Sequence, residues 1–139
     1  MQHNKINPNV LFVDDDISRY LSFTQNNHNS LCAQDLHFTK CPFDAIDMLR
    51  NAKLDIIFLD YDLPTNTDNS ITSLAIAQYI ADNPQYFTDQ IVVIHSANPI
   101  GVARLMDVLK YVTLQLYVIP NAWYKPNLID FIFNQPWHS

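Results

Sequence analysis

The chain reads as an α/β protein: a five-stranded parallel sheet with helices on both faces, stacked as a three-layer sandwich. Three observations predict it. Short apolar runs alternate along the 139 residues with stretches of helical period. Three runs are apolar at every position, as strands covered on both faces must be: 10–13, 56–59 and 91–94. Each of these ends in polar chemistry, namely Asp14-Asp15-Asp16, Asp60-Tyr61-Asp62-Leu63-Pro64 and His95-Ser96. The carboxyl ends of parallel strands open onto one shared crevice, so these distant residues are expected to meet there.

Taken in order, strand one spans about 10–13 and helix one about 17–27, with Ile17, Tyr20, Leu21 and Thr24 at helical spacing. Leu36-His37-Phe38-Thr39 is a weaker strand suited to a sheet edge. Helix two begins near Pro42, a favoured first-turn residue, and carries Ala45, Ile46, Leu49 and Ala52 inward. Strand three is 56–60. A polar loop holding Thr65, Asn66, Thr67, Asp68 and Asn69 leads to helix three, about 70–82, which Asn83-Pro84 ends. Strand four is 91–95, and Asn98-Pro99 opens helix four, with Val102, Leu105, Met106 and Leu109 on its buried side. Strand five lies either at Leu116–Ile119 or at Ala122–Tyr124, and a last helix, about 127–134, closes the fold. With no repeat and no linker, one domain over 1–139 is expected.

Composition narrows the function. A net charge of −6 and a pI near 5.0, with eight scattered Lys and Arg, argue against nucleic acid as a partner. One glycine, Gly101, in the whole chain rules out glycine-rich phosphate loops. Cys32 and Cys41 are too few for a disulfide framework and lack zinc spacing. Neither a signal peptide nor a membrane-length apolar run is present, which points to the cytoplasm.

Asp14, Asp15 and Asp60 in one crevice would repel one another by roughly 3 kcal/mol per pair at 5 Å and an effective dielectric near 20. A cation relieves this, and a few oxygen ligands with room for water suit Mg²⁺. Asp60, at the end of a central strand, is the best placed to remain free as nucleophile or acceptor. Asp62 has a backbone carbonyl within reach of the metal, Ser96 offers a hydroxyl donor to a phosphoryl oxygen, and Lys125 supplies a compact positive charge. Singly, each has a plainer reading: Asp14 to Asp16 as helix caps, Asp60 and Asp62 as turn residues, Ser96 as a cap, Lys125 as a solvated lysine. His95 is either a satisfied strand-end histidine or a general acid/base beside a phosphate.

Assembled, these residues resemble a response-regulator receiver domain, the flavodoxin-like (βα)5 module of two-component signalling. The resemblance rests on Asp14 and Asp15, on Asp60 with Leu63-Pro64, on Ser96-Ala97 and on Lys125-Pro126. It implies Mg²⁺ at the acidic residues, a phosphoryl group on Asp60 from a histidine kinase or phosphotransfer protein, and Ser96 and Lys125 sensing it. The aromatic switch residue that receivers carry three positions before the lysine is here Ala122, and the spacers on either side of Ser96 are long. Two segments, Leu59–Leu63 and Ile94–Gly101, are also similar to the cyclic-phosphate-processing receiver domains, through a His-Ser-x-Asn-Pro-x-Gly run. That family commonly has His where Tyr61 stands, and it usually stops after helix four.

Three functions follow as expectations. The first is a stand-alone phosphoacceptor in a phosphorelay, contacting an output protein through the helix four and strand five face, with no output domain after Gln135–Ser139. The second is an enzyme or binding module for cyclic phosphates or phosphoesters with His95 and Ser96 at the site. The third is a degenerate receiver that only binds.

Overall fold

The computed structural model describes residues 7–62 and 73–134. Leu63, Pro64, the polar loop at 65–69 and the expected first turn of helix three at 70–72 lie outside the described residues. Five strands form one parallel sheet: β1 (Val10–Val13), β2 (Leu36–Thr39), β3 (Ile56–Leu59), β4 (Ile91–Ile94) and β5 (Gln115–Val118). Their order is β2-β1-β3-β4-β5. Five α-helices accompany them: α1 (Ile17–Asn26), α2 (Pro42–Asn51), α3 (Leu74–Asp82), α4 (Pro99–Leu109) and α5 (Leu128–Phe133). No helix among the described residues is long and apolar enough to cross a membrane.

Alternation along the central strands divides the core into two layers. Leu11, Val13, Ile57, Leu59, Val92 and Ile94 face α2, α3 and α4, where they meet Leu49, Ile76, Ile80 and Leu105. Val10, Phe12, Ile56, Phe58, Ile91 and Val93 face α1 and α5, where they meet Phe23, Ile129 and Ile132. β1, β3 and β4 are buried at every position, and that double burial is why their sequences are unbroken apolar runs. Edge strands β2 and β5 are only part-buried and correspondingly mixed in sequence.

Helix α1 is rotated from the expected phase. Tyr20, Phe23 and Asn27 turn inward, whereas Ile17 and Leu21 are exposed. Aromatic packing decides this: Phe12 lies 5.0 Å from Phe23 and 5.6 Å from Tyr20 between ring centroids. Ala52 is the C-cap of α2 and exposed, and Met106 is exposed on α4, so neither belongs to the core. The ambiguity at the fifth strand resolves to Gln115–Val118, while Ala122–Tyr124 forms a 3-10 turn. Two asparagines in left-handed conformation, Asn121 (φ 61°) and Asn127 (φ 56°), bracket that turn, as this side chain tolerates positive φ better than most. α1 then holds the closing segment, since the Asn26 side chain donates to the Trp123 carbonyl and Asn27 Oδ1 accepts from the Ile129 amide.

Candidate functional site

β1 and β3 are neighbours although β2 lies between them in sequence, and β2 and β4 lie on opposite sides of the pair. This is the point where the order of the strands reverses and a crevice opens at their carboxyl ends. The parallel ladder runs one residue past the strands there. Asp14 N–H donates to the Thr39 carbonyl, Asp60 N–H to Val13, and His95 N–H to Leu59. Asp14, Asp60 and His95 are therefore held side by side at strand ends, on a rigid backbone.

The structure brings Asp14, Asp15 and Asp60 together, with one carboxylate oxygen from each lying within 4.8 Å of the others. Asp14 and Asp60 are buried and Asp15 is exposed. Burial, then the charges of Asp14 and Asp15, push the Asp60 carboxyl up to about 7, against the lowering influence of Arg19. Asp15 is also raised, by burial and by Asp14. Burial raises Asp14 too, but its hydrogen bonds from His95 and from the Asp16 amide outweigh it, leaving a net lowering. Hard oxygen donors in a group that resists ionising together are the chemistry a divalent cation such as Mg²⁺ satisfies.

His95 stands behind the acids. Its Nε2 is 2.8 Å from Asp14 Oδ2, its side chain is wholly buried, and its ring stacks on Phe12 at 4.9 Å. A carboxylate only accepts, which places the imidazole proton on Nε2. Burial, the dominant influence, pushes the imidazole below its usual range and keeps it neutral despite Asp14. Nδ1 is buried with no hydrogen-bond partner among the described residues. Both nitrogens are thus enclosed, and His95 orients Asp14.

Ser96 is buried as well, and its Oγ accepts from the Asn98 amide. Asn98 is the N-cap of α4, accepting from the Ile100 and Gly101 amides, with Pro99 in the first turn. The Asn98 Nδ2 also reaches the Asp62 carboxylate at 3.3 Å, so the Asp62 side chain is turned to α4. Tyr61 is buried against Gly101 and receives a hydrogen bond from Arg104 Nη1 at 3.1 Å. Ser73 is tied to the same strand end, its hydroxyl donating to the Asp60 carbonyl and its amide to that of Tyr61. The His-Ser-x-Asn-Pro-x-Gly run is thus a device that seats the segment after β3 on the start of α4.

The chain's one glycine has its reason here. A Cβ on Gly101 would collide with the Tyr61 ring and lie 2.7 Å from Tyr61 Cβ. Alanine gains about 1 kcal/mol of helix propensity over glycine, but overpacking of this kind costs roughly 1–3 kcal/mol. Gly101→Ala is expected to be net destabilising in urea denaturation; a more stable variant would show that the Tyr61 contact yields freely.

Lys125 is exposed, and no ion pair joins it to Asp60 among the described residues. The cation beside the acids is Arg19, which sequence reasoning passed over. Its Nη1 is 3.3 Å from Asp14, 3.7 Å from Asp60 and 3.8 Å from Asp15. Its spacing was a usable signal, since Asp15 and Asp16 lie four and three residues before it, where helical neighbours meet.

Comparison with known proteins agrees with this architecture. The family model of the cyclic-phosphate processing receiver domain matches residues 9–111. Among curated proteins none matches the chain in sequence. Of solved structures, the signal receiver domain described for a Luxo repressor protein of Vibrio parahaemolyticus is 19% identical with a TM-score of 0.59, over 91% of this chain and 84% of that one. The phosphorylated cyanobacterial phytochrome response regulator RcpA is 17% identical with a TM-score of 0.58, over 91% and 86%. The response regulatory domain of mrkE from Klebsiella pneumoniae is 20% identical with a TM-score of 0.57, over 90% and 88%. At such identities the likeness speaks for the flavodoxin-like receiver fold.

Proposed function

The chain belongs to the cyclic-phosphate processing receiver domain family, and on that premise we propose that it binds Mg²⁺ through Asp14, Asp15 and Asp60 and acts there on a cyclic phosphate ester. One observation carries the reading: three carboxylates converge at the strand-order reversal, two of them buried. Mg²⁺, when bound, supplies positive charge to a phosphoryl oxygen. Asp60, which follows the central strand β3, is the carboxylate placed to take and return a proton. It takes a proton from an attacking water. The water oxygen bonds to phosphorus, one ring P–O bond breaks, and the proton passes to the leaving oxygen to give a phosphomonoester. Asp14, fixed by His95, keeps its place while this happens. In this reading His95 is a positioning residue.

A second reading uses the same acids. Asp60 accepts a phosphoryl group from a histidine kinase or phosphotransfer protein, and the change reaches an output protein through the α4 and β5 face. The receiver fold and the Asp14–Asp15–Asp60 set favour it. An exposed Lys125 that makes no ion pair to Asp60 among the described residues, and Ala122 buried where an aromatic switch residue would stand, weigh against it.

One experiment separates the two. The protein with Mg²⁺ is given a 2′,3′-cyclic nucleotide, followed by ³¹P NMR, and separately acetyl phosphate, followed by intact mass. Phosphomonoester formed catalytically, and lost by roughly a hundredfold or more in Asp60→Asn, is the expected result. A single acid-labile phosphoryl adduct without turnover would replace this reading by the second.

A further inference from the structure

We propose that Arg19 is the resident counter-ion of the acidic site, and that a divalent cation must displace it to bind. The inference rests on the reading that Asp14, Asp15 and Asp60 hold Mg²⁺. All three place a carboxylate oxygen within 3.8 Å of one atom, Arg19 Nη1. These are the same three residues that form the metal-capable group. The Arg19 charge therefore stands where a metal's charge would act.

Local structure shows that Arg19 is there for the acids and not for its helix. Asp16 is the N-cap of α1, accepting from the Ser18 amide, so Arg19 falls in the first turn. A cation there opposes the helix dipole, and the residue at that position of a capped helix is more often Glu or Gln. No acidic residue occupies the first turn of α1. The carboxylates offset the unfavourable placement, with Asp16 adding a further contact at 3.8 Å from Arg19 Nε.

Its contacts are also loose enough to be exchanged. None is shorter than 3.3 Å, and the side chain is 38% exposed on a long flexible stem. Mg²⁺ takes oxygen ligands at about 2.1 Å, drawing the carboxylates inward onto itself. Two positive groups sharing one set of acids repel, so Arg19 leaves as the ion arrives and its release opposes metal binding. The arginine thus keeps the metal-free site folded and sets how much Mg²⁺ is needed to load it.

Titration calorimetry with Mg²⁺, repeated with Mn²⁺ by electron paramagnetic resonance, tests this on the full chain, on Arg19→Gln and on Arg19→Lys. Arg19→Gln is expected to bind roughly two- to fivefold more tightly than the wild type, as the contacts of a part-exposed ion pair are modest. Arg19→Lys, which keeps the charge, should fall between. Equal or weaker binding by Arg19→Gln, with clear binding by the wild type, would overturn the role of Arg19 and leave the metal reading standing. Binding by none of the three would overturn both.

Discussion

Replacing His95 by alanine is expected to lower folding stability by roughly 3 kcal/mol, within the range measured when a buried aromatic ring is truncated to alanine. The change deletes a ring stacked at 4.9 Å on Phe12 and removes the donor 2.8 Å from Asp14 Oδ2. Asp14 keeps the Asp16 amide and Arg19, which sets the expectation at the low end of that range. His95→Gln still offers an amide donor and should recover part of the loss. The pH dependence has a definite sign. The imidazole is held below its ordinary value of 6.5 in the folded state, so below about 6.5 the unfolded chain binds more protons. This residue therefore costs nothing at high pH and costs progressively more as the pH falls below that value. Urea denaturation from pH 5 to 8 should show that slope in the difference between the wild type and His95→Gln. An alanine variant as stable as the wild type at pH 8 would mean that the Asp14 bond stabilises nothing.

The sequence carried the strands better than the site. Apolar runs at 10–13, 56–59 and 91–94 are legible because burial on both faces leaves no room for polar residues. The acids at their ends were legible for a related reason: a buried core has no use for adjacent aspartates. α1 was misphased because a short helix with Ile17, Tyr20, Leu21 and Phe23 offers two apolar stripes, and only the position of Phe12 chooses between them. Arg19 and the Tyr61–Gly101 contact escaped notice because they depend on where side chains end. A receiver resemblance also drew attention to Lys125, which is exposed, and away from the nearer cation. For His95 the sequence left open a satisfied strand-end histidine and a general acid/base, and the buried ring bonded to Asp14 stands nearer the first.

Asp60→Asn is expected to raise the stability of the metal-free protein by up to about 4 kcal/mol above pH 8, with the gain gone near pH 4. In the unfolded chain this carboxyl has its ordinary value of 3.8, and in the folded protein it is pushed up to about 7. The difference is about three units, each worth about 1.4 kcal/mol. Between those limits the folded state binds more protons, so stability falls as the pH rises through the window and the full penalty stands above 7. His95 has the opposite slope below about 6.5, so the wild-type curve alone mixes the two. Subtracting the wild type from Asp60→Asn isolates the carboxyl, because asparagine keeps its shape and removes its charge. Mg²⁺ should narrow the gap by stabilising the wild type more than the variant, since a ligand stabilises the state that binds it. Arg19→Gln should widen it in the absence of metal, because the arginine is what lowers Asp60 against its neighbours. A gap that does not change with pH would mean that Asp60 is not strained by Asp14 and Asp15. The electrostatic reason for expecting a cation among these acids would then be lost.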